Sequence, residues 1–376
     1  MNWKLIFVFS LFMYACSSET IIEDHSSRDF KKIDSLVLVM DEIGSVDHSA
    51  IGSYYDENGG AVAILRTTMD RRYIDIFNLK DAKLLNKIPI DYEGPDGVGG
   101  EISNIIISDP ITVFIFNQWT GFLTHHRADG KIIDKFKINF NELGGRGYLS
   151  PGSWSYQNYI IRKNKMYFPG WLPWAHQAKS NEQIGVVDLQ TNEVFTRFSR
   201  PEQYETYMWG AGNLYELYMD YHSDSEELLL SFPIENDLIL LNPESGETRR
   251  VRAISKHFSE VTPFSSDFEN LDVQGLMDHD KNNKYYQGVV FDPSNNFTYR
   301  MTSRSTYQMD VNQSNQRLVS LIILDENFNA LNEIELDLKN LDFKMGFTAN
   351  KGWYILNQKL TYDKEGQLVF DIYSYR

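Results

Sequence analysis

Short apolar segments alternate with turn-forming residues along most of the chain, and the same arrangement recurs six times. Each apolar segment follows a group of Gly, Asn, Asp or Lys residues that favours a β-hairpin. In the first five repeats a loop, a strand, a turn and another strand follow, so each repeat predicts about four strands. The apolar segments recur at intervals of about 50 to 65 residues and begin at Ala61, Val113, Met166, Leu228, Val289 and Trp353.

This repeat predicts an all-β fold, a six-bladed β-propeller. A four-stranded unit cannot bury both of its faces alone, so several units must pack in a ring. The sixth repeat has only WYILNQ and LVFDIYSYR, while the N-terminal segment IDSLVLVMDEI (Ile33–Ile43) has no partner strand in its own part of the chain. We therefore expect this N-terminal strand to complete the last blade and close the ring, which leaves no open sheet edge.

The composition excludes some functions. The chain has 376 residues, more than one ordinary hydrophobic core organises, which agrees with a repetitive fold. Its formal charge is -16 and its isoelectric point is about 5.0, so nucleic acid is not an expected partner. The single cysteine excludes an internal disulfide, and no motif predicts a metal or a cofactor.

The N-terminal sequence MNWKLIFVFSLFMYAC has a lysine, a short apolar run and a small residue directly before Cys16. This order is typical of a bacterial lipoprotein signal, in which the cysteine is acylated. We predict a signal peptide over residues 1–15, a lipid-anchored flexible tether over 16–30 and the propeller over 31–376. The location would be the cell envelope, at the outer membrane, periplasmic or surface-exposed. An ordinary secretory peptide that contains a cysteine is the alternative.

The chain resembles the uncharacterised six-bladed β-propeller lipoproteins of Gram-negative bacteria, which are similar in shape to TolB-like and NHL-type propellers. The resemblance implies the fold and the envelope location, and no activity for any residue. It rests on the signal that ends at Cys16 and on three stretches: IPIDYEGPDGVGG (Ile88–Gly100), VVFDPSNNFTYRM (Val289–Met301) and SLIILDENFNALNEIEL (Ser320–Leu336).

Long loops and tryptophans fall on one end of the predicted ring. We call this end the connection rim: it carries the connection into each innermost strand and the loop between the second and third strands. The hairpin rim is the opposite end. Pro169 and Pro173 stiffen the loop PGWLPW, and disordered loops are poor in tryptophan. The candidate binding residues are Trp119, Trp154, Trp171, Trp174 and Trp209, with Arg146, His176 and Arg304 as polar neighbours.

The sequence therefore favours a binding or scaffolding module for a glycan, a peptide or an envelope protein, because large aromatics are frequent in recognition surfaces. Packing of the long loops is the other explanation for the tryptophans. An alternative function is a hydrolase or lyase for a carbohydrate or ester at the channel mouth. A structural spacer is a third reading. The carboxylates available for catalysis on this rim are Asp96, Glu101, Asp267 and Glu269.

The stretch DHDKNNK, from Asp278, begins like a calcium loop. The sixth position is Asn283 instead of glycine, and the twelfth is Val289 instead of an acid. We predict a hairpin turn there. The glycine-rich EGPDGVGG fits no phosphate-binding pattern and is predicted to be a turn into the second blade.

Overall fold

The computed structural model describes residues 29–40, 45–56, 59–67, 72–117, 119–138, 150–151, 159–171, 182–210, 212–265, 272–305, 317–337, 339–364 and 366–376. They form six antiparallel sheets arranged as the blades of a propeller, which confirms the predicted fold class. Within these residues no helix has the length and apolar character required to cross a bilayer.

The strands follow one another blade by blade. The first is β1 (Phe30–Val39). Blade 1 has β2 (Ser45–Asp56), β3 (Gly59–Thr67), β4 (Arg72–Asn78) and β5 (Leu84–Ile90). Blade 2 has β6 (Asn104–Ile106), β7 (Thr112–Asn117), β8 (Phe122–Arg127) and β9 (Ile132–Lys137). In blade 3, β10 (Ser150–Pro151) and β11 (Ile160–Arg162) both pair with β12 (Lys165–Trp171), followed by β13 (Glu182–Asp188) and β14 (Val194–Ser199).

Blade 4 has β15 (Tyr218–His222), β16 (Glu227–Ser231), β17 (Asp237–Leu241) and β18 (Thr248–Arg252). Blade 5 has β19 (Lys284–Asp292), β20 (Phe297–Ser305), β21 (Arg317–Leu324) and β22 (Ala330–Leu336). Blade 6 has β23 (Leu341–Ala349), β24 (Gly352–Asn357) and β25 (Gln367–Tyr375). The strand β1 is the fourth strand of this sheet and pairs antiparallel with β25, with Leu36 opposite Phe370.

The middle strands of each blade are buried on both faces, because each blade packs between two neighbours. In β16 the sequence LLLS is fully buried, and in β3 the residues from Ala61 to Arg66 are buried. The outermost strands carry charge instead, as in TRRVR of β18, where four of the five residues are exposed. Continuous apolar runs therefore mark central strands, and charged alternating runs mark the outer wall.

A buried arginine ties blade 5 to blade 4. Arg300 in β20 is fully buried and uses all five of its N–H groups, and its guanidinium lies 3.8 Å from the ring centroid of Tyr286. Burial lowers the pKa of Arg300 to about 10. The side chain therefore joins the two blades through backbone groups, which no other residue type can contact in this number. Its acceptors all belong to blade 4: Ser231 Oγ and the carbonyls of Asn236, Ala253, Phe232 and Glu235.

The described helices lie in connections between strands. They are α1 (Gln203–Thr206), α2 (Val273–Asn282) and α3 (Gln358–Asp363), with a 3-10 turn at Gly212–Tyr215. The predicted hairpin at Asp278 is wrong, because this residue lies in α2. The next strand, β19, is the innermost of blade 5 rather than its second.

The polar sequence of α2 explains the error. Asp, Asn and His residues are poor helix formers and favour turns, so local propensity supported a hairpin. Tertiary contacts stabilise the helix instead. His279 Nε2 lies 2.9 Å from the carbonyl oxygen of Thr262, and Asn283 Nδ2 donates to the same oxygen at 3.1 Å. The backbone N–H of Asn283 closes the helix on His279 O.

Candidate ligand-binding surfaces

The described residues include only part of the predicted binding set. Trp171 ends β12, where its backbone pairs with Ser150, and its side chain is not described. Five further predicted residues lie outside the described part of the chain, as do the carboxylates Asp267 and Glu269. Those five are Cys16, Arg146, Trp154, Trp174 and His176.

Trp209 packs inside the connection between blades 3 and 4. Its side chain is 5% exposed, and its Nε1 donates to the carbonyl oxygen of Gln203 at 3.1 Å. Its backbone N–H donates to the hydroxyl of Tyr215 at 2.9 Å, and its ring lies edge-on to that of Tyr204. This indole holds the connection onto the core of blade 4.

Arg304 stands at the connection-rim end of β20, as predicted from its position in the repeat. Its guanidinium forms an ion pair with Glu335, which also lies 3.8 Å from His257 Nε2. Within the described residues, none of Trp119, Trp209 and Arg304 contacts another. The structure therefore distributes these three residues around the connection rim.

Trp119 is the most exposed of the described predicted residues, at 74%. It lies in the turn between β7 and β8, and the buried side chain of Asn117 fixes this turn. Asn117 Oδ1 accepts from the backbone N–H groups of Trp119 (3.0 Å) and Thr120 (3.1 Å). Asn117 Nδ2 donates to the carbonyl oxygens of Val98 and Gly99, both at 3.1 Å. One amide therefore joins the Trp119 turn to the glycine-rich loop.

The glycine-rich loop carries a second exposed aromatic, Tyr92, at 54% exposure. The loop is closed by a hydrogen bond from Gly99 N–H to Tyr92 O at 3.1 Å. Arg72 donates through Nη1 to Gly100 O at 2.8 Å, and its guanidinium lies 5.3 Å from the centroid of the Tyr92 ring. Gly99 has φ +65°, in the region that favours glycine. The loop leads into a strand, β6, as the turn prediction required.

Together these residues form a polar and aromatic surface that we call the Trp119 platform: Arg72, Tyr92, Glu101 and Trp119. The indole Nε1 donates to Glu101 Oε2 at 3.3 Å. Asp96, the other described carboxylate of the predicted catalytic set, accepts from Ile132 N–H at 3.0 Å. The platform offers two aromatic rings, one carboxylate and one guanidinium to solvent.

A cavity of about 570 Å³ occupies the central channel, and we call it the channel pocket. Its lining comes mainly from the later part of each innermost strand, next to the hairpins, so the pocket lies toward the hairpin rim. Its volume is within the range of small-molecule sites. All six blades contribute, with Ser53, Ile106, Ile161, Tyr221, Phe291 and Phe347 as one lining residue from each.

Two charged side chains line the channel pocket, Arg162 and Asp220. Asp220 is engaged with backbone: Oδ1 accepts from Tyr221 N–H at 2.8 Å and Oδ2 from Phe291 N–H at 2.7 Å. The carboxylate therefore joins the innermost strands of blades 4 and 5. Arg162 is exposed, and its guanidinium lies 4.2 Å from the ring centroid of Tyr221.

Sequence reasoning missed Tyr92, Arg72 and the channel pocket. Tyr92 directly precedes the glycine-rich loop on the connection rim, and this position is the signal that could have indicated an exposed aromatic residue. Arg162 lies in the sequence RKNK, which predicted a hairpin turn. This pattern gave no indication that the arginine lies at the channel. Within the described ranges, no three His, Cys, Asp or Glu side chains are grouped closely enough to hold a metal ion.

These features define a six-bladed β-propeller with a small-molecule-sized cavity in its channel. The chain belongs to the family described as a domain of unknown function, DUF4221, whose model matches residues 31–335. No curated protein matches the chain significantly.

Many solved structures are similar to it, including two from Bacteroides species. One is a member of the same family from Bacteroides vulgatus, with a TM-score of 0.75 and 19% sequence identity over 93% of this chain and 98% of that chain. The other is a Bacteroides fragilis protein described as exported, with a TM-score of 0.55 and 10% identity over 95% of this chain and 98% of that chain. At these identities the similarity supports the fold.

Proposed function

We propose that this protein is a binding module of the bacterial cell envelope that recognises a saccharide on the Trp119 platform. The observation that carries the proposal is the geometry of Trp119: its indole is 74% exposed, yet its backbone is held by the buried amide of Asn117. An exposed ring on a fixed backbone offers a flat apolar face, and the fixed backbone lowers the ordering cost on binding. This is the arrangement that suits a rigid, partly apolar ligand.

The chemistry of the platform favours a sugar. The C–H face of a pyranose packs on an aromatic ring, while its hydroxyl groups bind carboxylates and guanidinium groups such as Glu101 and Arg72. A stable protein partner would bury about 800 Å² on each side, whereas the platform consists of two rings with charged neighbours. The formal charge of -16 also disfavours strongly anionic polymers.

The envelope location rests on the N-terminal sequence. We propose that Cys16 is lipidated and holds the propeller at the membrane, with residues 16–30 as the tether. The exported protein of Bacteroides fragilis, which has a similar fold, supports a location outside the cytoplasm. Metabolic labelling with an alkyne fatty acid tests the anchor, and Cys16→Ser should abolish the label.

The binding proposal is tested with an array of neutral oligosaccharides, followed by fluorescence titration of the purified protein. Binding should change the tryptophan emission of the parent, and Trp119→Ala should weaken binding at least tenfold, which is about 1.4 kcal/mol. Trp119→Phe should retain part of the affinity because a flat ring remains.

Tyr362→Ala is the matched control, because Tyr362 is 84% exposed and lies in α3 on the connection rim of blade 6. It should bind as the parent does. Equal binding by parent and Trp119→Ala would reject the platform, and binding of peptides alone would replace the sugar with a protein ligand. Shortening of a bound oligosaccharide would instead identify a hydrolase or lyase.

A further inference from the structure

The channel pocket has a chemical character that differs from the Trp119 platform. Apolar and polar surface contribute nearly equally to its described wall, and Ile105, Val290 and Phe347 are among the apolar lining residues. At the hairpin rim the lining includes Tyr55 and Ser108, both of which carry hydroxyl groups. A ligand that fits both parts has an apolar body and one polar end.

Arg162 provides the only cation in the described lining. Its one hydrogen bond in the described part of the chain is from Nη1 to its neighbour Ile161 O at 3.1 Å, so most of its five N–H groups have no acceptor among the described residues. Five other described arginines pair with carboxylates, namely Arg66, Arg127, Arg249, Arg250 and Arg304. In an acidic protein, a guanidinium without such a partner at a cavity is available for an anion.

Tyr221 contacts this guanidinium. The guanidinium carbon lies over the Tyr221 ring, 4.2 Å from its centroid, and this ring is on the innermost strand of the neighbouring blade. A guanidinium over a ring face can still use its edge N–H groups for a bidentate contact with a planar carboxylate. Asp220, the other charged residue of the described lining, accepts a backbone N–H at each of its two oxygens.

We propose that the channel pocket binds a small organic carboxylate, with Arg162 as its anion-binding group and the apolar lining residues around its body. A carboxylate carries one charge, which one arginine matches. A phosphate dianion would also require backbone amides or further cations, and the described lining supplies neither a second cation nor a helix N-terminus. This site is independent of the Trp119 platform, since it lies at the other end of the channel.

The test compares carboxylates with their uncharged amides of the same shape. Isothermal titration calorimetry on the purified protein uses hexanoate, 4-phenylbutyrate and galacturonate, each beside its primary amide, with inorganic phosphate as a separate arm. At least one carboxylate should bind the parent tenfold or more tightly than its amide. Arg162→Gln should remove that preference, because glutamine keeps hydrogen bonding and loses the charge.

Arg127→Gln is the control, since Arg127 is an exposed arginine on the hairpin rim of blade 2 and pairs with Asp129. It should retain the full preference. The melting temperatures of both variants should match that of the parent, because both side chains are exposed.

The proposal is overturned if no carboxylate binds, if each carboxylate and its amide bind equally, or if Arg162→Gln binds the carboxylate as the parent does. Tighter binding of inorganic phosphate than of every carboxylate, lost in Arg162→Gln, would also overturn it. Such a result would assign a phosphate site instead.

Discussion

The two rims of the ring are held in place by different means. On the connection rim, the Trp119 platform stands on loops that one side chain, Asn117, fastens together. At the hairpin rim, the channel pocket is formed by strand ends whose positions follow from the pairing of each blade and its packing against the next. The shape of the Trp119 platform therefore depends on local hydrogen bonds, and the shape of the channel pocket depends on the whole ring.

Removal of the link between blades 4 and 5 should have the largest effect and should affect both rims together. We expect Arg300→Met to lower the free energy of unfolding by about 3 to 5 kcal/mol, because it leaves several buried acceptors without a donor. Urea unfolding measures this change. Arg249→Met is the control: Arg249 is half-exposed and pairs with Glu227, so it should cost at most about 1 kcal/mol. Unchanged stability of Arg300→Met would show that the ring does not need this link.

A substitution at Asn117 should affect ligand binding at the connection rim and leave binding at the hairpin rim unchanged. We expect Asn117→Ala to lower stability by about 1 to 3 kcal/mol, since two carbonyls and two N–H groups lose their partner. Saccharide binding on the platform should weaken, while carboxylate binding in the channel pocket should stay as in the parent. Asn329→Ala, at an exposed hairpin residue that contacts Asp325, provides the control. Equal loss at both rims would mean that the rims are not independent.

Acid should lower the free energy of unfolding through groups at the hairpin rim, and this effect should be smaller than those of the two substitutions above. Two buried histidines brace hairpins there. His126 has its Nδ1 2.9 Å from Gly130 O, and His222 Nδ1 accepts from Ser225 N–H at 3.1 Å. Burial lowers the pKa of both histidines, and for His222 the charges of Asp224 and Glu227 oppose this shift only in part.

The lowered pKa values of the two histidines determine how stability changes with pH. Both histidines are neutral in the folded protein at neutral pH, while in the unfolded chain their pKa is about 6.5. Below that pH the unfolded chain takes up protons first, so stability should fall with falling pH, by at most about 1.4 kcal/mol per pH unit for each histidine. Urea unfolding at pH 7.5 and 5.5 measures the loss, and His126→Gln should reduce it. An equal loss in that variant would point to other groups.

The sequence predicted the fold well because the blade pattern is local. Apolar runs, hairpin residues and their spacing lie within each repeat, and only the fifth repeat was shifted by one strand, where α2 replaced a hairpin. It predicted Trp119 on the connection rim for the same reason. It left open whether Trp209 binds a ligand or packs its loop, since a loop tryptophan looks the same in sequence whether it faces solvent or the core. Nor could it show the channel pocket, whose lining comes in short segments from six distant strands.

The pairing of β1 with β25 also determines where the chain enters the ring. Phe30 lies opposite Tyr375, at the end of β25 that reaches the hairpin rim, and Asp29 exchanges two backbone hydrogen bonds with Arg376. The chain thus enters the ring beside its last residues, at the hairpin rim. For the lipid anchor proposed above, the tether would therefore attach at the hairpin rim, beside the mouth of the channel pocket. The Trp119 platform lies at the opposite end of the ring from this attachment point.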